Sequence, residues 1–244
     1  MTNSEWQIRC DLAACYRIFV KLGWTDLIFT HLSARVPDEP DTYLINPYGL
    51  LFDEITASNL IKVSFAGEVV DGDYPYNEAG HSIHSAVLTA RPDINCVLHT
   101  HTRAGIAVSC MTEGLMPLSQ QANEVMNMVC YHEYGYTPDS PQECAKLGED
   151  MSDKWLMIMH NHGLLGTGRT VREAFYYLYV LENACKVQVD VLASGTKPLM
   201  PTKSARDAIG LSSGMPSEEP AEFVELSWRA LLRSLERSGI NWKE

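Results

Sequence analysis

The chain holds 244 residues with 19 basic against 31 acidic side chains, a formal net charge of −12 at pH 7, and 45% hydrophobic content. No block of Lys and Arg stands out, so neither nucleic acid nor an anionic membrane surface is an expected partner. No apolar run approaches the ~18 residues that span a bilayer, the first residues lack the basic and apolar regions of a signal peptide, and seven scattered cysteines form no C-x-x-C. A cytoplasmic protein with a small-molecule partner is expected, with an ample core and a length that suits one large domain or two small ones.

Taken in order, Ser4 can cap a helix that carries Ile8, Leu12, Ala13, Tyr16, Phe19 and Val20 at helical spacing, with Gly23 as its stop. Residues 27–36 read as a strand, and 42–45 as the return strand of a hairpin. Residues 52–59 read as a turn with a short helix. Residues 61–65 and 68–70 flank Ala66-Gly67 as a second hairpin. Asn77 is the N-cap of a helix that runs to Ala90 and stops at Arg91-Pro92. Residues 103–110 form a short helix and 171–194 a long one. The polar stretch 196–216 reads as mobile, and residues 218–238 as a last amphipathic helix.

Two apolar runs carry the chemistry. Ile94, Val97 and Leu98 lead into His99-Thr100-His101, and Trp155-Leu156-Met157-Ile158-Met159 leads into His160-Asn161-His162-Gly163. Residues two apart on a strand share a face, so the rings of His99 and His101 can meet one ion at about 2.0–2.1 Å per nitrogen. A third imidazole from the second run would leave open coordination positions, the arrangement of a catalytic metal site. Spacing alone equally allows structural histidines.

At this point the residues resemble the class II aldolase/adducin family. The resemblance rests on Asn77-Glu78-Ala79-Gly80 followed by His84-Ser85-Ala86, on Ala90-Arg91-Pro92-Asp93, on His99-Thr100-His101-Thr102 and on His162-Gly163-Leu164. The motifs Phe29-Thr30-His31-Leu32-Ser33-Ala34-Arg35-Val36 and Ile45-Asn46-Pro47-Tyr48-Gly49-Leu50-Leu51 favour its adducin-like branch. The resemblance implies a three-layer α/β/α fold around a largely antiparallel sheet. It implies a catalytic domain over residues 1–200 and a C-terminal extension, 201–244, packing on the same domain or a neighbouring subunit. It also implies a homotetramer and one divalent ion held by His99, His101 and His162. Zinc stands first for that ion, with iron, manganese and cobalt as alternatives.

Two departures from the family pattern shape the functional reading. His31 and Tyr48 stand in loops where sugar-phosphate aldolases carry small residues that cradle a phosphate, which points to an unphosphorylated substrate. The metal-contacting glutamate of those aldolases falls on Gly80. Its replacement is sought in His81 as base or extra ligand, or in Glu78, with Tyr48 or Tyr131 and its loop (residues 131–136) as acid. The expectation is therefore a metal-dependent carbon–carbon lyase, an aldolase or decarboxylase. It would act on a small oxo or hydroxy acid through a metal-stabilised enediolate. Two alternatives are a non-haem Fe(II) oxygenase on the same fold and a non-catalytic adducin-like binding module.

Overall fold

The first helix, α1 (Asn3–Leu22), starts where the Thr2 hydroxyl accepts a hydrogen bond from Glu5 N, two residues ahead of the cap expected at Ser4. It ends at Gly23, whose φ of 70° is the left-handed geometry that a residue lacking Cβ adopts without strain. In the computed structural model, which describes residues 1–133, 140–212 and 221–244, eight strands form one sheet. They are β1 (His31–Arg35), β2 (Thr42–Ile45), β3 (Ile61–Ser64), β4 (Val69–Asp71), β5 (Cys96–Thr100), β6 (Val129–His132), β7 (Leu156–Met159) and β8 (Gly163–Gly168). Their order is β4-β3-β2-β1-β5-β8-β7-β6, and each pairing is antiparallel except that of β6 with β7. The largely antiparallel sheet implied by the resemblance is thus the observed one.

Two helical layers enclose this sheet. On one face α2 (Glu78–Ala90) packs against α5 (Pro141–Met151) and covers β1 and β5. The other layer is built from α1, α3 (Arg103–Ser109), α4 (Gln120–Val125), α6 (Val171–Ala193) and α8 (Glu222–Arg237), with α7 (Lys203–Ser212) against α4. Side chains alternate along β1, so His31 and Ser33 lie on the α2 side while Leu32 and Ala34 lie on the other. Strand β8 is nearly all glycine and leucine because α6 sits close upon it. A Cβ on Gly166 would lie 2.7 Å from the Leu178 Cβ. Arg9, buried on α1, ties that helix to the sheet edge through Glu5, Asp71 and the Leu60 carbonyl. Lys62 closes the same network between Glu5 and Glu39.

Two expectations are corrected. Residues 27–30 are a turn and not the start of β1, because Leu27 and Thr30 take left-handed backbone (φ 49° and 66°). The apolar letters suggest a buried strand, yet Leu27 is 69% and Phe29 43% exposed. Within the polar stretch 196–216, residues 203–212 form α7. The last helix packs on α1 and α6 of its own chain, with Arg172 paired to Glu225 at 2.5 Å and the Lys21 ammonium donating to Ser234 Oγ. Among the described residues no helix is long and apolar enough to cross a membrane.

Candidate metal centre

The site grows out of the pairing of β5 with β8. Thr100 lies opposite Leu164, so His101 and His162, one and two residues further out, meet at the end of the ladder. The turn that carries His162 is tight, with Asn161 at φ 56° and its N–H donating to the Ser109 carbonyl. Gly163 is obligatory here, since a Cβ on it would stand 2.3 Å from the Thr100 carbonyl oxygen. The three Nε2 atoms converge, at 2.9 Å for His99–His101, 3.2 Å for His99–His162 and 2.9 Å for His101–His162. Among the described residues this is the one cluster of three or more metal-ligating side chains.

The donor set fits a divalent ion. His99 donates from Nδ1 to the Leu164 carbonyl at 3.0 Å, which leaves the lone pair on Nε2. His101 Nδ1 lies 2.9 Å from Asp26 Oδ2, so its Nε2 likewise offers a lone pair. Two imidazole lone pairs aimed at each other repel unless a cation lies between them. A tetrahedral ion at 2.0–2.1 Å from each nitrogen needs them roughly 3.3 Å apart, close to the observed spacing. Burial, reinforced by His162, holds His99 well below the ordinary histidine range, and burial with His101 brings His162 to about 4. Both rings are therefore neutral, the ligating form, at physiological pH.

Behind His99 stands a buried chain of polar groups. His31 lies opposite His99 in the ladder and stacks on it, with ring centroids 5.1 Å apart. Its Nδ1 is 2.8 Å from His84 Nε2, and His84 Nδ1 is hydrogen-bonded to the Ser33 hydroxyl. His84 is wholly buried. The His31 ring fills the space in front of Gly80, where a Cβ would come within 2.5 Å of its Cδ2 and 2.8 Å of its Nε2. The absent side chain at position 80 and the ring at position 31 are thus two halves of one packing solution.

The other residues singled out from the sequence lie elsewhere. His81 turns toward β2, its Nδ1 2.5 Å from the Tyr43 hydroxyl and its ring stacked on Tyr43. Glu78 is exposed at the start of α2. Tyr48 is half-buried in the turn after β2, where its N–H donates to the Pro75 carbonyl. Tyr131 accepts a hydrogen bond from Leu115 N and pins the turn at Gly114; residues 134–136 of its loop lie outside the described residues. Arg35 donates to the Pro40 and Leu88 carbonyls and lies over Phe65. Asp26 escaped the sequence reading altogether. Its partner His101 is 75 residues away, and nothing local marks it.

The model of the Class II Aldolase and Adducin N-terminal domain matches residues 10–189. A Pseudomonas aeruginosa protein, whose own naming as a class 2 aldolase is provisional, is 44% identical over 100% of this chain and 95% of its own length. Rat alpha-adducin is 39% identical, over 97% of this chain and 34% of its own length. Among solved structures, an aldolase II superfamily protein from Pseudomonas syringae superposes with a TM-score of 0.94 at 42% identity, covering 100% and 98% of the two chains. The L-fuculose 1-phosphate aldolase of Glaciozyma antarctica PI12 superposes at 0.84 with 25% identity, over 97% and 92%.

Proposed function

Because the chain belongs to the class II aldolase and adducin N-terminal domain family, we propose that it is a metal-dependent carbon–carbon lyase, an aldolase or decarboxylase. Its proposed substrate is a small, unphosphorylated oxo or hydroxy acid. The observation that carries the reading is the convergence of His99, His101 and His162 on one point, with the outward nitrogens of His99 and His101 already engaged.

His99, His101 and His162 would hold a divalent ion, zinc in our reading, which would supply Lewis-acid polarisation of the substrate. The chain's own groups do the rest. The Leu164 carbonyl orients the ring of His99, and the stacked His31 walls the site where a side chain at position 80 would otherwise enter. Of the candidates His81, Glu78, Tyr48, Tyr131 and His31, His31, whose ring stacks on the proposed ligand His99, is the one we favour. Its Nδ1 is engaged by His84, which leaves Nε2 as the nitrogen that can exchange a proton with substrate. We place the assembly as a cytoplasmic homotetramer.

The decisive experiment is elemental analysis of wild type and His101→Ala, coupled to turnover of small oxo and hydroxy acids with and without oxygen. Metal in the wild type, its loss in the variant and oxygen-independent turnover are expected. Full occupancy in His101→Ala removes that residue from the ligand set, and turnover that needs oxygen replaces the lyase with an oxygenase. A second reading, a non-catalytic binding module, is favoured by the likeness to alpha-adducin together with Gly80. Metal-free wild-type protein without turnover would establish it.

A further inference from the structure

We infer that Asp26 is the positioning residue of the metal centre, and that the turn at residues 26–30 is shaped to deliver its carboxylate to His101. The inference rests on the metal-centre reading above. His101 lies one residue beyond the end of β5, so no ladder partner holds its ring. The ring of His99 is locked by a main-chain carbonyl, whereas that of His101 is held by Asp26 Oδ2 at 2.9 Å from Nδ1. A charge-assisted bond of this kind fixes both tautomer and ring rotation. It also places a negative charge behind a ligand of a cation.

The backbone supports the same conclusion. Phe29 N donates to the Asp26 carbonyl at 2.8 Å, closing the turn, and Leu27 and Thr30 both sit in left-handed backbone. That conformation is costly for any residue with a Cβ, and more so for a β-branched threonine. Such strain persists where the surrounding structure gains something by it. Burial is not the gain here, because the turn throws Leu27 and Phe29 into solvent. What the turn does achieve is to carry Asp26 to the far end of β5, beside His101. An ordinary exposed ion pair would contribute little. This one differs in that the other nitrogen of the same ring lies in the three-histidine cluster.

The test uses the full chain and Zn²⁺ as the probe, with affinity read by competition against a chromophoric chelator. Asp26→Ala is expected to weaken zinc by about 10–100-fold, the usual cost of losing a partner behind a ligand. Asp26→Asn, whose amide oxygen still accepts from Nδ1–H, should lose less. Nitrogen-15 spectra of the histidines in the zinc-free protein give a readout that general destabilisation does not move. His101 should carry its proton on Nδ1 in wild type and Asp26→Asn, and shift toward the Nε2 form in Asp26→Ala. Because the carbonyl, not the carboxylate, closes the turn, both variants should fold. Unchanged zinc affinity or an unchanged tautomer in Asp26→Ala overturns the inference. A wild type that binds no zinc overturns the metal-centre reading and the inference with it, while the tautomer comparison still tells whether Asp26 orients the His101 ring.

Discussion

Replacing Gly80 with alanine adds a single carbon, and the structure places that carbon 2.5 Å from His31 Cδ2 and 2.8 Å from both Cγ and Nε2. Unstrained carbon contacts lie near 3.5–4.0 Å, so the ring must recede by roughly 1 Å. It cannot do so freely, because it is buried, stacked on His99 and bonded to His84 at 2.8 Å. Overpacking of this kind costs about 1–3 kcal/mol, and loosening the His84 bond adds about 0.5–1.5. Alanine gains at most about 1 kcal/mol over glycine in a helix, and less in the first turn, where residue 80 lies. The net expectation for Gly80→Ala is a loss of about 0.5–4.5 kcal/mol. Urea denaturation in the presence of chelator measures it as a lower midpoint at unchanged slope. A double-mutant cycle with His31→Ala should recover about 1 kcal/mol or more of coupling, since the clash disappears with the ring. A Gly80→Ala variant as stable as wild type would show that helix propensity outweighs the contact and would refute the argument.

Two further outcomes follow from the same residues. On the proposed reading that His31 and Tyr48 replace a phosphate cradle, L-fuculose 1-phosphate and similar esters should fail to inhibit at micromolar levels; inhibition in that range would contradict the unphosphorylated-substrate reading. His84 is held well below the ordinary histidine range by burial, then by His99 and His81. A histidine depressed on folding contributes stability that is present above its unfolded value near 6.5 and is lost as pH falls below it. The urea midpoint of chelator-treated protein should therefore drop between pH 7.5 and 5.5, by less in His84→Gln. An equal drop in the two proteins would clear His84.

Much of the fold follows from local chemistry that the letters display. Asn77 caps α2 and accepts from Gly80 N, and the helix spans Glu78–Ala90, as the cap and the Arg91-Pro92 stop imply. Gly23 ends α1, and the apolar runs before His99 and His162 are β5 and β7. These signals are readable because capping, helical period and β-branched runs act within a few residues. The apolar letters of residues 27–30 mislead for the complementary reason. Only the closed turn and its distant partner His101 explain why Leu27 and Phe29 face solvent.

The three histidines could be named from the chain, but their meeting depends on the register of β5 against β8 and on Gly163 admitting the Thr100 carbonyl. Nor could the chain by itself separate His81 from His31 as neighbours of the site. Rotation around α2 decides that Gly80 and His84, four residues apart, face His31 while His81 meets Tyr43. Residue types and their short-range spacing thus determined which side chains were available. Which of them converge was decided by strand register and helix rotation, because contacts between residues 50 to 75 apart leave no local trace in sequence.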